Sequence, residues 1–411
     1  MRGMAKLSTD LIHHPYQPPA GFAAPQPGVF KASTVIFANV AAMRARDWKT
    51  KAGYTYGLHG TPTTFMLEER IAALEGGKYC ILLPSGLAAI ANVSLSLLRA
   101  GDEVLIPDNA YGPNKALADS ELKAWGITHQ LYDAMNPADL QVRIGPKTKL
   151  VWLEAPGSVT MEFVPIGELA AICRARGVTT ALDSTWSAGL AFSGFDLAQP
   201  GSGSGADIVV QALTKYPSGG GDVLMGSVVT RDDKLHTQMK QTHMRLGWGV
   251  GANDAEAILR ALPSLALRYQ AQDLAARQLA AWLGARAEVT RLLHPAFEGA
   301  PGHAHWQDTC AGNGGSGLEA GGAAAGLFSV IFDERFSPAQ VDRFCDALRL
   351  FKLGYSWGGP VSLVVPYDVA SMRSSRLGPC PYKGVLVRFS VGLEDVEDLR
   401  ADLEQALSAL E

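Results

Sequence analysis

Two ionisable side chains follow apolar runs, at points where the sequence predicts buried strands to end. Lys215 comes shortly after the run 207–212, and Asp183 directly follows the run 178–182. An amine near apolar walls or a second cation loses its proton more easily and becomes a nucleophile. A buried carboxylate needs a partner, because an unpaired buried charge is costly. Each residue alone also fits an ordinary role: a surface lysine before a flexible turn, and a helix cap or loop ion pair.

The positions of these two residues favour one shared ligand. The carboxyl ends of parallel strands meet in the crevice where α/β sheets bind ligands, so we expect the amine and the carboxylate at the same edge of one sheet. Pyridoxal phosphate (PLP) satisfies both, since its pyridinium nitrogen pairs with a carboxylate and its aldehyde condenses with an amine. The glycines at 219–221 allow the backbone to approach such a ligand closely.

Two further segments fit the same ligand, although each also fits a plain packing role. Ser85-Gly86-Leu87 stands at a predicted strand-to-helix turn, where free N–H groups and the helix dipole bind phosphate. Tyr111 follows another predicted strand by four residues and can stack on a flat heterocycle. The P-loop pattern and the full Gly-rich dinucleotide fingerprint are missing, which counts against ATP and NAD.

Short apolar runs alternate with helical patterns in the first half of the chain. We predict strands at 79–83, 103–107, 150–154, 178–183 and 207–212, and helices at 62–75, 85–99, 113–125 and 166–176. Thr61 and Ser85 are the predicted caps of the first two helices. This alternation indicates parallel strands with crossover helices, and therefore an α/β sheet covered on both faces.

The chain divides into three predicted regions. Prolines in residues 1–60 forbid long helices, so this region is predicted to be an extended arm that contacts a neighbouring subunit. Residues 61–255 form the predicted PLP-binding α/β domain. Residues 256–411 are predicted to contain a linker helix, within an Ala- and Leu-rich stretch that starts at 252, and a smaller α+β domain. That domain has predicted strands at 328–332, 361–365 and 385–390, and a helix after a capping box at Ser337.

Composition excludes several classes of protein. With 47% hydrophobic and 18% charged residues, the chain is not a disordered protein. The net charge of −4 gives no attraction for a polyanion, so we expect no nucleic-acid partner. Apolar runs fall far short of the ~20 residues of a membrane helix, and no signal peptide is recognised. Five scattered cysteines without a CxxC pair fit reduced thiols in a cytoplasm.

From about Tyr54 to Glu394, these segments resemble the Cys/Met-metabolism family of PLP enzymes. Glu-Ala-Pro-Gly-Ser at 154–158, Ser-Trp-Gly-Gly at 356–359 and Ala212 are most similar to its cystathionine β-lyase branch. The resemblance implies the PLP-dependent transferase fold type I, like that of aspartate aminotransferase: a large, mostly parallel seven-stranded sheet and a smaller C-terminal α+β domain. It also implies a homotetramer, a dimer of dimers with shared active sites.

The same resemblance implies roles toward the cofactor. Lys215 forms the covalent bond to PLP and later moves protons, and Asp183 keeps the pyridine nitrogen protonated. Tyr111 stacks on the ring and is a second candidate for proton transfer. The other residues implied to bind the cofactor are Thr185, Ser85, Gly86, Leu87, Thr214 and, from a neighbouring subunit, Tyr56.

Toward the substrate, Arg388 is implied to clamp the α-carboxylate, because its guanidinium fork donates two parallel hydrogen bonds. Ser356, Trp357 and Tyr56 are implied to assist. Leu58 stands where many relatives carry an arginine for the phosphate, and His59 beside it is a candidate for partial replacement. No metal site is expected.

The resemblance implies β-elimination of L-cystathionine to L-homocysteine, pyruvate and ammonia, a step of methionine biosynthesis. Other members of the family stay open: methionine γ-lyase, cystathionine γ-synthase, O-acylhomoserine sulfhydrylase and a general cysteine-S-conjugate β-lyase. Outside the family, a nicotinamide dehydrogenase lacks its Gly-rich fingerprint here. A non-catalytic binding or scaffold protein would not need both Lys215 and Asp183.

Overall fold

The first half of the chain contains a large sheet of seven strands. The computed structural model describes residues 7–16, 18–197, 201–311 and 321–411, so residues 1–6 and 17 of the predicted arm lie outside the described residues. In the order β1-β7-β6-β5-β4-β2-β3, the sheet contains β1 (Tyr79–Leu83), β2 (Glu103–Pro107), β3 (Thr128–Tyr132), β4 (Thr148–Glu154), β5 (Thr179–Asp183), β6 (Ile208–Ala212) and β7 (Gly226–Thr230). Only β7 in this sheet runs antiparallel to its neighbours, which confirms the mostly parallel sheet.

Strands in the middle of this sheet match the predicted apolar runs. They are buried because helices cover both faces, and such strands have nearly continuous apolar sequences. The sequence analysis does not anticipate β3 or β7. β3 is an edge strand that begins Thr-His-Gln, and β7 begins with Gly226 and Ser227, so neither forms an apolar run of strand length.

The helices vary widely in length. The described residues form α1 (Leu7–Ile12), α2 (Val40–Arg44), α3 (Pro62–Glu75), α4 (Gly86–Leu97), α5 (Gly112–Leu117), α6 (Pro137–Arg143), α7 (Ile166–Ala175), α8 (Asp233–Leu246), α9 (Ala252–Ala261), α10 (Leu265–Gly284), α11 (His303–Trp306), α12 (Pro338–Ala347), α13 (Val369–Met372) and α14 (Val396–Leu407).

The helix ends follow local sequence where caps are present. The Thr61 hydroxyl accepts from the Thr64 N–H, and Gly76 ends α3 in the left-handed region at φ 74°. Ser85 caps α4 by accepting from the Ala88 N–H at 3.0 Å. The predicted capping box at Ser337 starts α12. Local hydrogen bonding therefore positions α4, whose first turn borders the site described below.

Two predicted helices are shorter or divided. The helix predicted at 113–125 ends as α5 at Leu117 and continues as the π-helical turn Ala118–Leu122. The Ala- and Leu-rich stretch from 252 contains α9 and α10, separated by the 3₁₀ turn Leu262–Ser264. Pro263 lacks an N–H and clashes with the preceding turn, which explains this break.

A second, smaller sheet follows α10. It runs in the order β10-β11-β12-β9-β8 and contains β8 (Val289–Leu293), β9 (Leu327–Phe332), β10 (Lys352–Leu353), β11 (Leu363–Tyr367) and β12 (Leu386–Ser390). Phe328 and Phe389 stack at 5.0 Å between ring centroids in the core that this sheet shares with α10, α12 and α14. A smaller α+β unit after the large sheet is thus present as predicted.

The arm is largely extended over its described part. It is joined to the body where the Phe30 N–H donates to Thr63 Oγ1 at 2.8 Å and where Thr34 bridges Tyr56. Contact of this arm with a neighbouring subunit stays a prediction. So does the boundary between residues 255 and 256, which falls inside α9. In the described ranges, no helix combines the length and apolarity needed to cross a membrane.

Candidate active site

The site is a pocket at the carboxyl ends of the central parallel strands. The last residues of β4, β5 and β6, which are Glu154, Asp183 and Ala212, all line it. This is the edge at which α/β sheets bind ligands. The predicted site residues that line the pocket are Ser85, Gly86, Leu87, Tyr111, Asp183, Thr185, Thr214, Lys215, Trp357 and Arg388.

Lys215 is held against the second half of the chain. Its Nζ donates to Ser356 Oγ at 2.9 Å and lies 4.6 Å from the centroid of the Trp357 ring. Burial, together with the nearby positive charge of Arg388, lowers the pKa of Lys215 to about 8, although Asp183 opposes the shift. At pH 7 about a tenth of the amine is therefore unprotonated, far more than in an ordinary lysine, which favours a role as nucleophile or base.

Asp183 is oriented by the residue two positions later. Its Oδ1 accepts from the Thr185 backbone N–H at 3.0 Å and from the Thr185 hydroxyl at 2.6 Å. The same hydroxyl accepts from the Ala212 N–H at 2.9 Å, which ties the ends of β5 and β6 together. Burial raises the pKa of Asp183, while the Thr185 bonds and Lys215 oppose that shift. A cationic ligand group beside Asp183 would stabilise its ionised form.

Glu154 is a pocket residue to which the sequence analysis assigns no role. It pairs in register with Asp183 on the neighbouring strand, so two carboxyl groups end side by side. Its Oε2 accepts from the Tyr111 N–H at 2.8 Å and thereby fixes the loop that carries the Tyr111 ring. Burial, followed by the charge of Asp183, raises the pKa of Glu154 well above that of an ordinary carboxyl. Its position at the end of an apolar strand, like that of Asp183, is the sequence signal that could have identified it.

Tyr111 lies half-buried on the pocket wall. Burial raises its pKa, and the negative charges of Asp183 and Glu154 add to this effect. The phenol therefore keeps its proton at neutral pH and can donate it. The sequence prediction that this ring stacks on a cofactor stays a prediction.

The first turn of α4 forms one end of the pocket. N–H groups in the first turn of a helix lack partners within the helix and attract anions. A Cβ on Gly86 would lie 2.6 Å from the Ala212 Cβ, so only glycine lets this turn approach β6 so closely. Thr214, on the loop after β6, donates its hydroxyl to the Met225 carbonyl at 3.2 Å and accepts from the Met225 N–H at 3.1 Å. Phosphate binding by this turn and by Thr214 stays a prediction.

Arg388 comes from the small sheet and faces the large one. It lies in the middle of β12, is 5% exposed, and its guanidinium carbon is 5.3 Å from the Trp357 ring and 5.4 Å from the Tyr367 ring. These two aromatic rings hold the guanidinium by cation–π contact. The sequence analysis missed Tyr367, which ends β11 directly opposite Leu386. Its Tyr-Asp context after a short apolar strand carries no distinctive motif.

Trp357 and Gly358 lie in the segment that packs the second half of the chain against the Lys215 loop. The backbone at Gly358 adopts φ 76°, and a Cβ there would lie 2.7 Å from the Tyr216 N atom. The glycine therefore lets the Ser356–Trp357 segment pack directly on the loop that carries Lys215. Among described residues, the buried Trp357 Nε1 has no hydrogen-bond partner.

Tyr56 lies outside this pocket in the single chain. Its side chain is 46% exposed, and its ring contacts the His59 ring at 5.9 Å between centroids. His59 Nδ1 bonds the Thr55 hydroxyl at 2.8 Å, and the neighbouring Leu58 contributes no charge. The predicted contribution of Tyr56 to a neighbouring subunit's site stays a prediction.

The pocket fits PLP on three structural grounds. Within the described chain, Asp183 Oδ2 accepts no hydrogen bond and can pair with a pyridinium N–H. The amine of Lys215 has a lowered pKa, as condensation with an aldehyde requires. The glycine-started helix α4 and the unpartnered Trp357 N–H supply donors for anionic groups.

Comparisons with known proteins agree with this chemistry. The model of a family described as Cys/Met metabolism PLP-dependent enzyme matches residues 8–408. A putative cystathionine β-lyase of Rhizobium johnstonii is 37% identical over 98% of this chain and 96% of its own. A cystathionine β-lyase of Bordetella avium is 36% identical over 98% of both chains.

A solved structure of metB from Corynebacterium glutamicum superposes with a TM-score of 0.85 at 28% identity, covering 99% of each chain. The family match and this superposition confirm the predicted fold class and the PLP dependence.

Proposed function

Because this chain belongs to the Cys/Met metabolism PLP-dependent enzymes, we propose that it is a carbon–sulfur lyase that cleaves L-cystathionine by β-elimination. With one water, the products are L-homocysteine, pyruvate and ammonia. The observation that carries the proposal is the meeting of Lys215, Asp183 and Arg388 in one pocket. An amine, a carboxylate and a guanidinium are the three groups that a PLP enzyme acting on an amino acid needs.

Asp183 and Thr185 prepare the pocket for the positive charge of a pyridinium. Bound PLP supplies an electron sink for the pair of electrons that remains when Cα loses its proton. Thr185 donates to Oδ1 of Asp183 twice, which keeps the carboxylate in one orientation. A preorganised carboxylate stabilises positive charge without rearranging during the reaction.

Lys215 is the base in this proposal. Its Nζ takes the Cα proton, because its lowered pKa of about 8 makes the unprotonated amine far more accessible near neutral pH than in an ordinary lysine. Ser356 Oγ, 2.9 Å away, holds that nitrogen in place between proton transfers. The thiolate then departs from Cβ and takes a proton either from Lys215 Nζ or from the Tyr111 phenol.

Arg388 orients the substrate. Its guanidinium, which contacts both the Trp357 and the Tyr367 rings, donates two parallel hydrogen bonds to the α-carboxylate. The positive charge of Arg388 also lowers the pKa of Lys215. Arg388 therefore both binds the substrate carboxylate and favours the unprotonated form of Lys215.

The choice of β- over γ-elimination rests on two sequence segments and on the relatives. Glu-Ala-Pro-Gly-Ser at 154–158 and Ser-Trp-Gly-Gly at 356–359 resemble the β-lyase branch, and the two relatives above carry that name. The γ-acting members, the sulfhydrylases and a general cysteine-S-conjugate β-lyase are the competing assignments. We also propose a cytoplasmic homotetramer in which Tyr56 completes a neighbouring site.

Analysis of the products tests the proposed reaction. Purified holoenzyme is incubated with L-cystathionine, and the 2-oxo acids and thiols are identified by mass spectrometry, with Lys215→Ala as the inactive control. Pyruvate with homocysteine is the expected pair. Formation of 2-oxobutyrate with cysteine assigns the protein to the γ-acting branch. Turnover of other cysteine conjugates but not of cystathionine assigns it to the general β-lyases.

A further inference from the structure

An unusually long connection joins the two strands of the small sheet that flank the substrate side of the pocket. β11 ends at Tyr367 and β12 begins at Leu386, and the two are antiparallel neighbours. Hairpin loops usually have two to five residues, whereas this one, residues 368–385 and here named the strap, has eighteen. Loops of such length in compact proteins usually serve a function.

The strap is attached to the large sheet by its first half. Lys115 Nζ donates to the Met372 carbonyl at 2.8 Å and to the Asp108 carbonyl at 2.7 Å. The Ser374 N–H donates to Asp108 Oδ1 at 2.9 Å, and Arg373 Nη1 lies 3.8 Å from Asp108 Oδ2. Asp108 directly follows β2, so the strap is fixed to the sheet edge at which the pocket opens.

The buried carboxylate of Glu162 and the neighbouring Thr160 receive further strap contacts, since Arg373 Nη2 donates to Thr160 Oγ1 at 2.7 Å. The Glu162 side chain is 7% exposed, and its Oε1 accepts from Arg373 Nη2 and from the Tyr382 hydroxyl, the latter at 2.7 Å. Its Oε2 accepts from the Thr160 hydroxyl, and the Asn109 amide lies 3.4 Å away. A buried carboxylate is stable only when its charge is paired and hydrogen-bonded, so Arg373 is the counterion on which this cluster depends.

Glu162 ends the loop that forms a wall of the pocket. Pocket-lining residues of this loop are Pro156, Gly157, Ser158, Val159 and Met161. The loop is folded back by the Gly157 N–H, which donates to the Glu162 carbonyl at 2.8 Å. Val159 and Met161 have φ values of 72° and 56°, a backbone region that is unfavourable for residues with side chains, and above all for valine. Such conformations persist only where surrounding contacts enforce them.

The geometry points to Arg373 as a positioning residue: through Glu162, it holds the wall formed by residues 156–162 in the shape that binds the substrate. The strap connects this wall to the substrate clamp, because it starts directly after Tyr367, whose ring packs on Arg388. Arg373 itself does not line the pocket. The inference rests on the proposed function for the identity of the substrate.

The test compares Arg373→Met with Arg376→Met in the holoenzyme. Arg376 is an exposed residue of the same strap for which no ion pair is found among the described residues, so both variants lose one positive charge. For Arg373→Met we expect KM to rise about tenfold with kcat within about threefold of the wild type, since ground-state binding is lost. Amide hydrogen exchange in a peptide covering 156–163 should accelerate about tenfold or more. Arg376→Met should change neither quantity.

Two further variants guard against misfolding and general damage. Tyr382→Phe removes one bond to Glu162 and should give the same changes on a smaller scale. Glu162→Gln combined with Arg373→Met should be no worse than Arg373→Met alone, because Arg373→Met has already removed the counterion of Glu162. The inference is overturned if exchange in 156–163 and KM stay at wild-type values in Arg373→Met, or if kcat alone falls. Hydrogen exchange needs no substrate, so its result stands even if the wild type does not cleave cystathionine.

Discussion

Glu154 and Asp183 lie directly opposite each other at the ends of β4 and β5, where both face the same pocket. Ionising both of these neighbouring carboxyl groups is energetically unfavourable because their charges repel, and burial makes it more so. The structure resolves this conflict by hydrogen bonding: Thr185 donates two bonds to Asp183, whereas Glu154 receives the Tyr111 N–H. Asp183 is therefore the better stabilised anion, and Glu154 is the group expected to carry a proton.

A neutral Glu154 predicts how substitutions behave. Glutamine has the size of the protonated acid and still accepts from the Tyr111 N–H, so Glu154→Gln should stay within about 1 kcal/mol of the wild-type free energy of unfolding. Glu154→Ala leaves that N–H unpaired and should lose about 1–3 kcal/mol. Urea unfolding of both variants at pH 7 measures the difference. Equal destabilisation by the two substitutions would contradict a neutral Glu154 that acts mainly by accepting from the Tyr111 N–H.

The state of Lys215 predicts a pH dependence for cofactor uptake. Burial and Arg388 lower the pKa of its amine to about 8, so the rate at which apoenzyme combines with PLP should rise with pH with a midpoint near 8. Arg388→Met removes a neighbouring cation and should move the midpoint upward. Asp183→Asn removes a neighbouring anion and should move it downward. Stopped-flow absorbance across pH 6–10 gives these midpoints; shifts in the reverse directions contradict the assignment of charges.

Gly86 predicts a steric effect at the start of α4. Gly86→Ala places a Cβ 2.6 Å from the Ala212 Cβ, and such overpacking costs about 1–3 kcal/mol of stability. The affinity for PLP, measured by fluorescence titration, should fall as well, because the turn is pushed away from β6. Gly167→Ala in α7 is the matched control, since the nearest atom to the new Cβ is 3.9 Å away and alanine favours a helix. A Gly86→Ala protein with unchanged PLP affinity would argue against a phosphate site at this turn.

Substitution of Arg388 is expected to weaken substrate binding. Arg388→Lys keeps the charge but loses the planar fork and its contacts with the Trp357 and Tyr367 rings, so kcat/KM should fall about 10- to 100-fold. The effect should appear mainly in KM, with PLP content unchanged in absorbance spectra. Arg376→Lys, on the exposed strap, serves as the control. An unaltered KM in Arg388→Lys would remove Arg388 from the substrate site.

Much of the fold was predictable because the local sequence patterns, apolar runs and helix caps, agree with where the folded chain buries its strands and begins its helices. Apolar runs mark the central strands, since both faces of those strands are buried. Thr61 and Ser85 mark helix starts, since their side-chain bonds are local. The edge strand β3 is partly polar, and it becomes a strand only because β2 offers a free edge, which is information from the tertiary structure.

The site was predictable only in part. Lys215 and Asp183 are recognisable in the sequence because each is an ionisable residue at the end of an apolar run. Arg388 lies within a segment that resembles a known family. Tyr367, Arg373 and Glu162 carry no such signal. Their partners are distant in sequence, with Arg373 and Glu162 separated by 211 positions, and only the path of the strap brings them together.

The pocket is also divided along the chain. Residues predicted to hold the cofactor within this chain's own pocket precede Tyr216, and the predicted carboxylate clamp follows Gly354. The two groups belong to different sheets. Libraries for new amino-acid specificity can therefore start within residues 355–390, but they should keep Ser356, Trp357 and Arg388, which contact Lys215 or lower its pKa.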